Sequence, residues 1–166
     1  TSVRGVRYQN LYKLDRAQTH AQWNGSFGQT RAQLRAYRSA IEVRNYRTNG
    51  VTPTRPQDMR DVVYDGSVSH RMDRHHLAAG VEARRETLVN AGLRNGRDSA
   101  DNRALFLQDE ISLGTSLMAT LGVRVDHHEI FHNETSPRAY LVWQATPELT
   151  IKGGYGEAFK APTLKQ

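Results

Sequence analysis

The 166 residues are enough for one ordinary domain and too few for two. No run nears the ~18 apolar residues of a transmembrane helix, and the absence of cysteine excludes disulfide scaffolds and thiolate metal sites. The net charge of +6 rests on 23 basic residues, all but four of them arginine; they are scattered, with no stripe of the kind nucleic-acid binding needs, so an anionic surface or ligand is the expected partner and nucleic acid is not.

The chain opens Thr-Ser-Val-Arg-Gly, without the pattern of a signal peptide, and is expected to be an internal segment. Residues 1–12 read as a loop running into a strand. From there the pattern has period two, with successive side chains on opposite faces. Over 15–23, Ala17, Ala21 and Trp23 oppose Arg16, Gln18, His20 and Gln22. Segment 29–43 alternates as far as Ala36, then loses phase around Tyr37 and Arg38. Over 61–70, Val62, Tyr64, Gly66 and Val68 oppose Asp61, Asp65, Ser67 and Ser69. Over 76–86, Leu77, Ala79, Val81 and Ala83 alternate with His76, Ala78, Gly80, Glu82 and Arg84. Segment 101–113 is less regular because Phe106 interrupts the polar face.

The alternation is clearest in 117–126, where Leu117, Ala119, Leu121, Val123 and Val125 share one face and Met118, Thr120, Gly122, Arg124 and Asp126 the other. On a helix the same residues would be spread around the cylinder. Segments 138–145 and 149–155 follow the same rule, with Leu141, Trp143, Ile151 and Tyr155 on their apolar side. About eight strands are therefore expected. Short connections fall at 24–28, 71–74, 114–116 and 146–148; longer ones fall at 45–60, 90–100 and 131–135, and another begins at Lys160. Short turns at one end and long loops at the other suit a bacterial outer-membrane barrel better than a soluble sandwich.

The polar face decides between barrel types. Arg31, Gln33, Arg35, Glu82, Arg84, Glu86, Arg124 and Asp126 all fall on it. Burial of so many charges in a small packed core would cost several kcal/mol per unpaired ion. They must face water or a polar plug inside a wide barrel, while the apolar face meets lipid. Trp23, Tyr64, Trp143, Tyr155 and Phe159 are candidates for the aromatic girdles at the bilayer surfaces. The expected class is all-β, an antiparallel up-and-down transmembrane β-barrel segment.

The last third of the chain is more specific. The strings Leu121-Gly-Val-Arg-Val-Asp-His-His-Glu129, Ser136-Pro-Arg138 and Lys152-Gly-Gly-Tyr-Gly-Glu-Ala-Phe-Lys-Ala-Pro-Thr163 resemble, in order and spacing, the barrel of TonB-dependent outer-membrane receptors. Ala104-Leu-Phe-Leu-Gln-Asp-Glu110 looks like the strand before them, and the likeness covers residues 75–166, with a looser fit upstream. It is nearest to the branch of ferric enterobactin and colicin I receptors. The resemblance implies an outer-membrane receptor for TonB-dependent uptake of ferric catecholate siderophores. It also implies a barrel of about 22 strands filled by an N-terminal plug. Residues 1–166 would be a partial barrel domain, with the plug that engages the TonB system and the remaining strands outside it.

The alternatives are a haem or cobalamin importer of the same family, or a non-transport structural or binding β-barrel. No cofactor is expected, since the ferric siderophore would be cargo; the other partners implied are outer-membrane lipid and lipopolysaccharide. Arg124, Asp126, Pro137, Arg138, Phe159, Ala161 and Pro162 match the family's barrel motifs, and Arg138 is placed to pair with the plug or with neighbouring strands. Pro162 marks the passage from strand to outer loop, because proline cannot continue a central ladder. Ferric catecholates are anionic and aromatic, which suits arginine and tyrosine. Tyr46, Arg47, Arg55, Arg60, Arg94 and Arg97 in the long loops are the ligand candidates.

His127, His128, Glu129 and His132 look like metal ligands by composition, but adjacent strand residues diverge and cannot all reach one ion. His70, His75 and His76 flank a turn at the other end, so no metal site is expected. Enzymatic catalysis is not expected either: Ser99 and Ser136 lack a Gly-x-Ser-x-Gly setting, and Asp109 and Glu110 diverge.

Overall fold

The computed structural model of the chain describes residues 2–3, 6–48, 56–160 and 164. Two strands of two residues each, β1 (Ser2–Val3) and β2 (Val6–Arg7), pair antiparallel ahead of the main sheet. That sheet has eight strands: β3 (Asn10–Phe27), β4 (Thr30–Arg47), β5 (Gln57–Met72), β6 (His75–Asn90), β7 (Arg97–Ser112), β8 (Leu117–His128), β9 (His132–Gln144) and β10 (Thr150–Gly156). Every strand pairs antiparallel with its neighbours in sequence, so the sheet is an up-and-down meander with β3 and β10 at its edges.

Register converts the alternation of single strands into two continuous surfaces. Trp23 lies opposite Leu34, Leu34 opposite Gly66, Gly66 opposite Val81, Val81 opposite Leu105, and Leu105 opposite Val125. On the far side Leu117 meets Trp143, and Trp143 meets Ile151. Leu34, Tyr64, Val81, Leu105, Leu107, Leu121 and Trp143 are all exposed. A single layer cannot bury one face against the other, and the only buried apolar side chains among the described residues are Leu88, Ala100 and Ala104. Such a sheet is stable only if something apolar covers this face, and a bilayer does so.

The turns at one end are tight. Gly28 (φ 61°) and Asp73 (φ 41°) supply the left-handed residues that reverse β3 into β4 and β5 into β6. At the other end three expectations need correction. The connections predicted at 45–60, 90–100 and 131–135 are shortened by strand at their ends: β4 runs to Arg47, β5 starts at Gln57, β6 runs to Asn90, β7 starts at Arg97 and β9 starts at His132. Only 129–131 separates β8 from β9, with His132 (φ 63°) closing the hairpin opposite His128. The strands also begin earlier than period two suggested, since β3 already runs from Asn10. The physical reason lies in their outer ends, where the face of Trp23 and Leu34 turns charged with Lys13, Asp15, Glu42 and Arg44 while the other face takes Leu14, Ile41 and Val43. The expected alternation is lost there although the hydrogen-bonded ladder continues. The loss of phase at Arg38 is the edge of the apolar band and not the end of a strand.

Candidate functional site

The polar face carries a row of ionisable groups brought together by register. Arg35 lies opposite Asp65, Asp65 opposite Glu82, Glu82 opposite Ala104, Ala104 opposite Asp126, and Asp126 opposite Glu134. Acidic groups dominate that row, and arginines reach in to balance them. Arg35 Nε donates to Asp65 at 2.8 Å. Arg124 Nε donates to Asp126 Oδ2 at 2.8 Å, while its Nη2 reaches Glu82 Oε1 at 3.0 Å and Asp126 Oδ1 at 2.9 Å. Ala104 makes this span possible: its small side chain lies between the two carboxylates, so one guanidinium on β8 ties β6 to β8 across β7. Asp126 is 3% exposed and takes a further hydrogen bond from Asn102 Nδ2 at 3.3 Å. A carboxylate so shielded needs this pairing, because an unpaired one would be strongly destabilising.

A second knot lies further from the tight turns. Arg84 holds Asp61 with two hydrogen bonds of 2.9 Å and approaches Glu86 at 3.6 Å. A third is built around glycine. Arg138 on β9 faces Gly122 on β8, which faces Gln108 on β7. A Cβ on Gly122 would sit 2.8 Å from Arg138 Nε, so only glycine leaves the trough through which Arg138 reaches Gln108 Oε1. Of the two roles foreseen for Arg138, the structure shows the contact with a neighbouring strand. Phe106, which interrupts the polar alternation, covers Gly80 in the same way: a Cβ there would lie 2.4 Å from its ring.

Phe159 departs from the girdle expectation. Its backbone N–H donates to Ser136 Oγ at 3.1 Å on the polar face, and its ring packs at 6.3 Å against Phe131, which in turn lies 5.0 Å from His128. The strand ends at Gly156, so parity no longer fixes the direction of Phe159 and the chain folds inward. Trp23, Tyr64, Trp143 and Tyr155 stand exposed on the apolar side as expected. Pro137 is on that side too, opposite Val123. Ala161 and Pro162 lie outside the described residues.

The ligand candidates do not form one cluster. Arg55 lies outside the described residues. Contrary to the loop assignment, Tyr46 and Arg47 are in β4, Arg60 is in β5 and Arg97 is in β7; only Arg94 is in a connection. By parity Tyr46, Arg60 and Arg97 belong to the face that carries Leu34, Val62 and Leu105, whereas Arg47 belongs to the polar face. The Arg47 guanidinium lies 5.2 Å from the centre of the Tyr8 ring. Register, more than composition, separates these residues.

The histidines make local hydrogen bonds. His127 Nδ1 is 2.7 Å from Asn133 Oδ1, and His128 Nδ1 accepts from the Ile130 amide at 3.1 Å. Glu129 accepts from the Asp101 amide at 3.2 Å. At the tight-turn end His75 pairs with Asp109 at 2.6 Å, His76 with Glu110 at 3.5 Å, and His70 with Thr30 at 2.8 Å. Among the described residues no three histidine or carboxylate groups converge as metal ligands would.

The family model for the TonB-dependent receptor-like β-barrel matches residues 2–166. An iron-regulated outer membrane virulence protein of Vibrio cholerae is 31% identical over 117 residues, which is 68% of this chain and 18% of that protein. A ferric enterobactin receptor of Pseudomonas aeruginosa is 40% identical over 73 residues, 44% of this chain and 10% of the receptor. The crystal structure of the siderophore receptor PirA from Pseudomonas aeruginosa superimposes with a TM-score of 0.85 at 25% identity, covering 95% of this chain and 29% of the receptor. The chain thus spans only a small part of the length of the relatives it matches.

Proposed function

The chain belongs to the TonB-dependent receptor β-barrel family, and from that premise we propose that it forms part of the barrel wall of an outer-membrane receptor that imports ferric siderophores of the catecholate class. The observation that carries the proposal is one sheet with an ion-paired polar face and an unbroken apolar face, in a chain whose relatives include ferric enterobactin receptors. In this proposal the apolar face meets the lipid and the polar face lines the water-filled interior. Arg35–Asp65, Arg84–Asp61 and Arg124–Asp126 keep that wall hydrated yet electrically balanced. Balance matters because a strongly anionic cargo would be repelled by the bare acidic row and trapped by a bare basic one.

Arg47 on the polar face and Arg94 in the 91–96 connection are the ligand candidates best placed to meet cargo at the mouth. Tyr46, Arg60 and Arg97 face the other way. Import would be driven by the TonB system acting on a plug domain that these residues do not include. The chain's own part is to hold the wall, and no bond in the cargo is made or broken by it.

Growth under iron starvation tests the proposal. A strain lacking this receptor and any redundant one is expected not to grow on ferric catecholate as sole iron source. Complementation with the intact gene is expected to restore growth. Normal growth of the deletion strain, or rescue by haem or cobalamin uptake alone, would refute it.

A further inference from the structure

After β10 the chain turns onto the polar face of the sheet. The Glu157 amide donates to the Pro137 carbonyl oxygen at 2.9 Å, and the Phe159 amide donates to Ser136 Oγ at 3.1 Å. Glu157, Ala158 and Phe159 thereby enclose a pocket with Phe106, Arg124 and Arg138 of the wall. Leu164 lines a second pocket on that face with Ile41, Met59 and Leu88. A further anchor is aromatic: the Phe159 ring meets Phe131 edge-on at 6.3 Å, and Phe131 lies 5.0 Å from the His128 ring.

His128 sits behind that anchor at the end of β8, only 4% exposed. The Ile130 amide donates to its Nδ1 at 3.1 Å. An amide N–H can only donate, so Nδ1 must carry a lone pair and the ring proton must lie on Nε2. This bond shapes residues 129–131, the turn that presents Phe131. A second proton on the ring would set two donors face to face and leave a buried cation, which is unstable unless it finds a carboxylate. The charged neighbours are few. Asp126, two residues back on β8, is held by Arg124 and Asn102, and Glu129 takes the Asp101 amide. On β7 the register partner is the neutral Asn102, with Arg84 beyond it on β6. Lys160 follows Phe159 on the segment itself. On β9 the partner is His132, and Glu134 stands diagonal to His128 with no ion pair among the described residues. Glu134 thus offers a protonated ring a partner, but only away from Ile130.

We propose that His128 is a proton-operated catch for the segment that follows β10. Neutral, the ring holds the 129–131 turn in the shape that lets Phe131 grip Phe159, and residues 157–160 lie against the wall. Protonated, it gives up Ile130 for Glu134, the turn opens and the segment swings free. The inference rests on the barrel orientation proposed above, in which this face is the interior and the segment narrows the outer mouth. Acid then widens the passage that cargo enters, and neutral conditions narrow it. A histidine suits this role because imidazole ordinarily changes charge between about pH 5 and about pH 8.

Amide hydrogen exchange of the intact receptor in mild detergent, followed by mass spectrometry and normalised to intrinsic rates at each pH, reads the catch directly. Protection of residues 157–160 is expected to fall about tenfold between about pH 7.5 and about pH 5.5, as stranding a buried donor would produce, while the β8–β9 ladder stays protected. His128→Asn, whose Oδ1 can take the Ile130 amide and is not protonated in this range, should stay protected at both pH values. Phe159→Ala should be unprotected at both, and His132→Gln should respond as wild type does. Unchanged protection in wild type, a pH response that survives in His128→Asn, or one that disappears in His132→Gln would each overturn the assignment. The first of these needs no variant, so the test does not depend on any variant folding. The measurement is made without cargo, so it succeeds or fails independently of the growth test for import.

Discussion

Asp126 illustrates how much of the inner wall depends on single side chains. It is nearly inaccessible, and its charge is met by Arg124 and Asn102 alone. Replacing Arg124 with methionine, of similar reach, would leave Asp126 and Glu82 facing each other across Ala104. The expected loss is about 2–3 kcal/mol of unfolding free energy, the usual cost of stranding a charged hydrogen-bond partner. A second change, Asp126→Asn, should recover part of it, because the remaining amide carries no charge to strand. Urea unfolding of the intact receptor in detergent, with Arg124→Met, Asp126→Asn and the double variant in one cycle, checks this: additive losses would mean that the two groups do not interact. Away from the membrane-spanning part of the strands, Arg85 and Asp101 form a similar pair, and the hydrogen bond from Arg85 holds the Asp101 carboxyl below the usual carboxylate range. Neither partnership is visible in the sequence by spacing. Arg124 and Glu82 are two strands apart, and only the turn lengths, by setting register, bring them together.

At the scale of the strand, alternation identified what lies within the bilayer and little beyond it. Segments 61–70, 76–86 and 117–126 were legible because lipid on one side and water on the other impose period two. The outer ends of β3, β4 and β7 depart from that period, so residues 10–12, 45–47 and 97–100 read as loop although their ladders persist. Phe106 was legible only as an irregularity; its reason, the bare backbone of Gly80 beside it, needs the register. Glycine gives a sharp test of the two faces of β10. A Cβ on Gly154 would lie 2.2 Å from the Tyr140 ring and 2.7 Å from the Ala139 carbonyl oxygen, whereas one on Gly153 meets nothing within 4 Å. Gly154→Val is expected to cost about 1–3 kcal/mol through overpacking. Gly153→Val, pointing into lipid from a strand that favours branched residues, should be neutral or slightly stabilising. Thermal unfolding of the two variants decides it, and equal losses would mean that the faces of β10 are misassigned. A charge on the apolar face offers a second contrast. Leu105→Arg is expected to destabilise by about 2–4 kcal/mol if that position sits at mid-bilayer, while Thr120→Arg on the polar face should cost far less.

The whole molecule turns on closure. Eight antiparallel strands are also the number of the smallest outer-membrane barrels, which close on themselves around a packed interior. Here β3 and β10 are the two edges of the sheet and do not pair. The polar face explains why: a small barrel would have to pack Arg35, Asp65, Glu82, Arg84, Arg124 and Asp126 into its core, whereas a wide one gives them water. In the proposed receptor the edges would be covered by further strands, since exposed ladders invite aggregation. The chain contains no cysteine, so paired cysteines introduced into it report only on their own proximity. Gln18 and Ser39 are register partners on β3 and β4, and their Cα atoms should lie within the ~7 Å that a disulfide can bridge. Gln18→Cys with Ser39→Cys is expected to cross-link in the intact receptor under mild oxidation. Gln18→Cys with Lys152→Cys, which joins β3 to β10, is expected to stay reduced. Gel mobility after oxidation reads both. Efficient cross-linking of the second pair would mean that these eight strands close into a narrow barrel, and the wide, hydrated interior on which the proposed import depends would not exist.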